Sequence, residues 1–341
     1  MMNNTPTPSK EIPDHEHFFN EICSSFQLGK LNEAPQPISG GLIHKMWKIN
    51  SEKGSLAIKE LNENIMKKPN VLEEFEQSEK IAQQFKTLGV PAIVGIQKDD
   101  HAVQTIEGKY FIVYPWIEGI TLSTDPVPPE QSFLIGEVLG KIHQANLNMP
   151  EIHDSHSHTF SQEHWNTIFD QLENKLNEQL IDPEKFLEWN HNENHIQKQL
   201  EGNHVVSHGD IDQKNVLWHD ENQPFIIDWE SVNKVHPGVE IVDAALNWGG
   251  LVSGTINEAS MLAVIHRYKS TGMNLKEDTK LLLQGCILKW LPWLEHNIQK
   301  IISSPENSPE FASAKNQILL TVRNIETIFQ NLDNWSNLFR Q

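Results

Sequence analysis

The chain lacks any long apolar run: none of its hydrophobic stretches approaches the roughly 20 residues a membrane helix needs. Cysteine is nearly absent. Cys23 and Cys286 are the only two in 341 residues, too few and too far apart for a disulfide framework or a metal knuckle. A reducing cytoplasm is the plain inference. Positive charge is also scarce, with 27 basic against 46 acidic residues and a net charge of −19. Such a balance argues against a nucleic-acid partner, because phosphate backbones would be repelled. It is compatible with a cationic substrate, although solvated surface carboxylates account for most of it. The start, MMNNTPTPSKEIPDHEHF, has no charged-then-apolar signal pattern, so residues 1–15 read as a flexible tail. What is there is a globular composition, 38 % apolar and 21 % charged, with ample length for a real core.

Residues 14–28 carry a first amphipathic pattern through Phe18, Phe19, Ile22 and Phe26. Strand-like segments follow at 37–49, 55–61, 92–97, 101–106 and 110–116. One helix interrupts them over 71–88, with Val71, Phe75, Ile81, Ala82, Phe85 and Leu88 near helical period, ending at Gly89-Val90-Pro91. From about residue 130 helical patterns dominate: 133–147, several tryptophan-bearing segments between 162 and 201, then 239–249, 256–271, 276–302 and 308–339. Only HVVSHGD, NVLWHD and PFIIDWE break that run with short strand-like pieces. The order describes an α+β chain of two lobes, 16–118 and 119–341.

Those short pieces hold the chemistry. In VSHGDIDQKNVLW, Asp210 follows a strand-like run and Asn215 lies five residues on; Asp228 closes the apolar run PFII, 18 residues after Asp210. A hairpin through HDENQP would bring Asn215 and Asp228 together. An amide oxygen and a carboxylate suit a hard divalent cation that keeps some waters. Asp210, one loop away, can orient an attacking hydroxyl or accept its proton. Phosphoryl transfer asks for these parts. Asp and Asn are also ordinary turn formers, so the first spacing alone is weak. Asp228 at the end of an apolar strand makes coincidence harder to sustain.

HGDIDQKN and IIDWE together resemble the aminoglycoside phosphotransferase and choline kinase group, and the likeness covers roughly residues 30–300 in feature order. The resemblance implies a bilobal protein-kinase-like fold, with a small β-rich N-lobe holding one helix and a larger, mostly helical C-lobe. It implies Asp210 as the catalytic carboxylate, Asn215 and Asp228 as magnesium ligands, and His208 as a structural brace of the loop. In the N-lobe, Gly40 and Gly41 of ISGGLIHKMWKI suit a turn that lets amides approach a phosphate, although a Gly-Gly hairpin explains them as well. Lys59, ending an alternating strand, matches the lysine that meets the α and β phosphates. Its helix partner would be Glu79, two residues before the Ile81-Ala82 pair, though helical phase sets Glu74 nearer the apolar face. Tyr114, Pro115, Trp116 and Ile117 resemble the interlobe linker whose main chain meets the adenine. Glu240 and Asp243 both fit the buried acid that ties down the catalytic loop.

The expected reaction is magnesium-dependent transfer of the γ-phosphoryl of ATP, with GTP also open, to a hydroxyl of a small molecule. An aminoglycoside-like antibiotic is one acceptor; choline, a sugar or an amino alcohol is another. A nucleotide-binding pseudokinase without turnover is a rival, but all four key residue types are present. A protein kinase fits poorly, since Trp229-Glu230 replaces the usual Phe-Gly and no activation-loop pattern follows. Trp290 and Trp293 mark where an acceptor pocket would lie by analogy, but tryptophans on helices are more often core. His153, His156 and His158 match no zinc spacing and read as a polar loop.

Overall fold

The computed structural model describes residues 12–38, 43–149, 151–152, 161–190 and 192–341. The chain divides into two compact units: residues up to Gly119 together with Phe225–Glu230, and Ile120–Pro224 together with Ser231–Gln341. The expected division after residue 118 therefore left out one short segment, which packs with the first unit.

In the first unit, helix α1 (Ile12–Ser25) already begins inside the stretch expected to be a tail. It stops because Gln27 turns left-handed at φ 55°, and Leu28 N–H then reaches the Cys23 carbonyl at 2.8 Å, satisfying an otherwise open helix end. Five strands follow, β1 (Gln36–Ile38), β2 (Lys45–Ser51), β3 (Gly54–Glu60), β4 (Val103–Ile106) and β5 (Lys109–Pro115), forming an antiparallel sheet of order β1-β2-β3-β5-β4. Residues alternate between its faces. Ile49, Ile58, Phe111 and Val113 meet Phe18, Phe19 and Ile22 of α1 on one side. Ile112 and Val103 meet Val71 and Phe75 of the opposite helix. That helix is α3 (Val71–Thr87), preceded by the single turn α2 (Glu63–Met66). Lys59 pairs with Ile112 across the β3–β5 ladder and so belongs to the α3 face.

Residues 92–97, expected as a strand, form no ladder. Instead Ala92 makes an isolated parallel bridge to Ile226, with Ile93 N–H on the Ile226 carbonyl at 2.9 Å and Ile226 N–H on the Pro91 carbonyl at 2.8 Å. Trp229 stacks on Phe85 of α3 with centroids 5.4 Å apart. These contacts fasten Phe225–Glu230 to the first unit. The expected strand 37–49 is likewise split between β1 and β2, and Gly40 and Gly41 lie outside the described residues.

The second unit opens with β6 (Ile120–Thr121) and α4 (Pro129–Ala145). Next come α5 (Gln162–Leu176), α6 (Pro183–Asn190) and α7 (Glu193–Leu200), then β7 (Val205–Ser207), β8 (Val216–Trp218) and, at the unit boundary, β9 (Pro224–Ile226). β10 (Asn233–Val235) pairs antiparallel with β7, placing Asn233 opposite Ser207. Helices α8 (Pro237–Trp248), α9 (Glu258–Ser270), α10 (Thr279–Ser303), α11 (Pro309–Gln330) and α12 (Leu332–Phe339) complete the unit. The last two were expected as one helix. They part at Asn331, whose amide caps the Thr327 carbonyl at 2.8 Å. Helix α8 is buried at almost every position from Gly238 to Trp248, so it is the central post of the unit. Gly136 lets α4 lie close on α9, since a Cβ there would stand 2.2 Å from the Val264 carbonyl oxygen. That approach sets His143 of α4 beside Tyr268 of α9.

Candidate active site

The loop after β7 is built from its backbone outward. Gly209 has φ 82°, and any Cβ there would lie 2.4 Å from the Ser231 carbonyl oxygen, so only glycine fits. Its N–H donates to Glu240 Oε1 at 2.8 Å. Fully buried His208 accepts the Asp210 N–H on Nδ1 at 3.3 Å. Asp212 then caps a short 3-10 turn, Gln213–Asn215, by accepting the Lys214 N–H at 3.1 Å. The turn brings Asn215 back onto Asp210. Asn215 Nδ2 donates to the Asp210 carbonyl at 2.9 Å and to Oδ2 at 3.0 Å. Acid and amide, five positions apart, are thus in contact.

Helix α8 anchors this loop at three points: Glu240 on Gly209, the Asn247 carbonyl accepting from Gln213 Nε2 at 2.6 Å, and Trp248 Nε1 donating to the Ile211 carbonyl at 3.0 Å. Glu240 is itself held by His143, whose Nε2 lies 2.6 Å from Oε2, and His143 Nδ1 meets Tyr268 Oη at 2.8 Å. Burial alone would raise the Glu240 pKa. The hydrogen bond and charge of His143, with help from Ser207 and Lys289, outweigh it and hold the pKa down at about 2. Asp243, expected as an equal candidate, has a different partner: Lys289 of α10 at 2.6 Å. Asp210 is pushed up by burial and pulled down more strongly by Lys214, Lys289 and His208, so its carboxyl stays below the usual range. Lys214 Nζ lies 3.5 Å from Asp210 Oδ2 and 2.9 Å from Asp212 Oδ2.

The first unit holds a second charged cluster. Lys59, 8 % exposed, points its ammonium at Asp228 Oδ1 at 2.9 Å and at Glu230 Oε1. Burial works against its charge, and the two carboxylates more than reverse that, raising its pKa. Glu230 is steadied in turn by buried His44, whose Nε2 lies 3.3 Å from Oε2. His44 Nδ1 accepts the Asn62 N–H at 3.0 Å, which leaves the proton on Nε2 for Glu230. Asp228 sits at φ 62°, a left-handed conformation that an aspartate tolerates better than most residues.

The expected Lys59–Glu79 pair is not the one formed. Buried Glu79 accepts the Gly95 N–H at 2.6 Å and the Tyr114 hydroxyl at 2.5 Å, and burial raises its pKa. The Tyr114 side chain therefore braces the helix acid. Along the expected linker, Tyr114 and Pro115 belong to the β5 ladder, Trp116 N–H makes a long 3.4 Å bond to the Ser55 carbonyl, and Ile117 follows beyond the strand. Sequence reasoning missed Glu230, His44, His143 and Lys214. The one available signal was Glu230 standing two residues after Asp228, where a kinase would have glycine. His153, His156 and His158 lie outside the described residues. Among the described residues, no three His, Cys, Asp or Glu side chains gather as a metal cluster, and no helix is long and apolar enough to cross a membrane.

A β-sheet unit carrying a buried, acid-paired lysine, followed by a helical unit with an acid–amide loop, defines a kinase-like phosphotransferase. The chain belongs to the phosphotransferase enzyme family, whose model matches residues 35–267. Among solved structures it is similar to a spectinomycin phosphotransferase crystallised with ADP and spectinomycin, at TM-score 0.65 and 15 % identity over 92 % of this chain and 98 % of that one. It is similar also to an ethanolamine kinase of Plasmodium vivax, at TM-score 0.55 and 16 % identity over 84 % and 80 %. A macrolide 2'-phosphotransferase of Brachybacterium faecium gives 0.55 and 13 % over 90 % and 98 %. At these identities the likeness is one of fold, the protein-kinase-like one. No curated protein matches the chain in sequence.

Proposed function

We propose that this phosphotransferase moves the γ-phosphoryl of ATP to a hydroxyl of a small molecule, with an aminoglycoside-like antibiotic as the first acceptor to try. The observation that carries the reading is the finished state of the 208–215 loop. Asn215 and Lys214 both occupy Asp210 Oδ2, so Oδ1 is the oxygen left to receive a hydroxyl hydrogen. With its pKa held low, Asp210 is ionised at neutral pH and acts first as an acceptor that aims the nucleophile. Nucleotide use is supported by relatives crystallised with ADP, AMP and AMP-PNP.

Lys59 would steady the α and β phosphates, exchanging contacts with Asp228 and Glu230 for the nucleotide. Gly40 and Gly41 would lend main-chain amides to the phosphates, and the main chain over Tyr114, Pro115, Trp116 and Ile117 would meet the base. Asn215 spends its Nδ2 on Asp210 and keeps its Oδ1, while Asp228 meets Lys59 through Oδ1 and keeps Oδ2. An amide oxygen and a carboxylate oxygen are donors of the kind magnesium takes, and we propose both residues as its ligands. Bound there, it would neutralise phosphate charge. GTP remains an alternative nucleotide, and an amino alcohol a second acceptor class, because an ethanolamine kinase shares the fold and the chain is strongly acidic. Two buried thiols fit a reducing cytoplasm.

The test is magnesium-dependent ATP turnover against aminoglycosides, spectinomycin, macrolides, ethanolamine, choline and sugars, with Asp210→Asn as control. We expect acceptor-dependent turnover that the substitution lowers by about 10³-fold while nucleotide affinity survives. Nucleotide binding with no turnover on any acceptor would favour the pseudokinase, and no nucleotide binding would refute the assignment.

A further inference from the structure

Asp210 has two lysines in its surroundings, and they differ in what they touch. Lys289 is engaged by Asp243 at 2.6 Å and makes no direct contact with Asp210. Lys214 does: its Nζ stands 3.5 Å from Asp210 Oδ2 and 2.9 Å from Asp212 Oδ2. The 3-10 turn that returns Asn215 to Asp210 also returns Lys214, four residues after the acid, so the cation is delivered by the loop's own geometry. An ammonium has three donors, and the two carboxylates engage two of them. The side chain is 60 % exposed, so its third N–H is open to a ligand. A cation touching the carboxylate that aims the nucleophile is also within reach of the group the nucleophile attacks.

We infer that Lys214 is a further catalytic residue, whose ammonium contacts a peripheral oxygen of the γ-phosphoryl group during transfer; the inference rests on the phosphotransferase reading above. In the step, a bond forms between the acceptor oxygen and phosphorus. The bond from phosphorus to the bridging oxygen breaks, its electron pair leaving on ADP. The hydroxyl proton passes to Asp210 Oδ1, and Lys214 stays protonated throughout. Asp212 holds the ammonium from behind, so that Lys214 does not simply collapse onto Asp210 and silence it. Negative charge spread over the phosphoryl oxygens in the transition state is what such a donor stabilises, and a single positioned donor is typically worth about 10²-fold in rate.

The experiment compares Lys214→Met and Lys214→Arg with the wild type in two readouts: kcat and KM for ATP, with spectinomycin, ethanolamine or water as acceptor, and ADP affinity by calorimetry. ADP lacks the transferred group, so a residue acting on that group leaves ADP binding alone. Lys214→Met is expected to lose about 10²-fold in kcat, with KM for ATP and ADP affinity within about twofold, and Lys214→Arg to recover to within about tenfold of wild type. A Met variant within threefold of wild-type kcat overturns the inference. So does ADP affinity falling in step with kcat, or Arg and Met being equally slow, either of which makes Lys214 a brace of the loop. Wild-type protein that binds no ADP at all would instead refute the function on which the inference rests.

Discussion

The two charged clusters are assembled in opposite ways. Asp210 and Asn215 are five positions apart and meet through one turn of their own loop. Lys59 and Asp228 are 169 positions apart and meet because Pro91–Ile93 grips Ile226 and Phe85 stacks on Trp229. The first cluster can be recognised as a spacing. The second exists only after a strand lysine, a helix and a distant segment have been packed together. The difference teaches where each is vulnerable: the loop to loss of its supports, the lysine cluster to loss of any one charge.

The largest effect is expected from Lys59→Met. It removes a buried cation from between two carboxylates, and kcat/KM for ATP should fall by about 10²- to 10³-fold. Steady-state kinetics checks this, and a loss below tenfold would deny Lys59 its phosphate role. Next in size is Glu240→Gln, which keeps the shape of the loop's main support and removes its charge. Urea unfolding at pH 7 should show a loss of about 2–4 kcal/mol. The sign with pH follows from Glu240 being held at about 2 in the folded protein against an ordinary 4.5. That stabilisation is complete above pH 4.5 and disappears as the pH falls toward 2. Wild type and Glu240→Gln should therefore converge in stability by pH 2 to 3, and parallel curves would show that Glu240 is not charged in the fold.

The smallest effects sharpen the comparison within the first unit. If Glu230 rather than Glu79 partners Lys59, then Glu230→Gln should raise KM for ATP about tenfold. Glu79→Gln should change it less than threefold while lowering the melting temperature through the Gly95 contact. Reversed magnitudes would restore the helix acid to the role its position suggested.

Much of the 208–215 loop was legible because its contacts are local. Glycine, two aspartates and an amide at fixed offsets admit few backbone solutions, and Gly209 and Asp212 supply the special ones. The supports were not legible. Nothing in the spacing of Glu240 and Asp243 says which faces Gly209, because both lie on the buried α8 and only the placement of His143 and Lys289 separates them. The same holds for Glu79. Its offset from Ile81 resembled a lysine partner, but packing delivers it to Tyr114 and Gly95. The segment 92–97 read as a strand from its apolar residues, but its N–H groups go to scattered partners, among them Ile226, Glu79 and Val113, instead of a ladder.

By itself the sequence determined the acid–amide pair on one loop and the presence of a strand lysine, because these rest on periodicity and short-range spacing, and it pointed to the fold and the family through the resemblance that HGDIDQKN and IIDWE carry. Only the tertiary structure decided which acids meet which cations. Burying a charge is costly without a partner, so each buried acid or lysine takes the partner that packing brings within reach, whatever its distance along the chain.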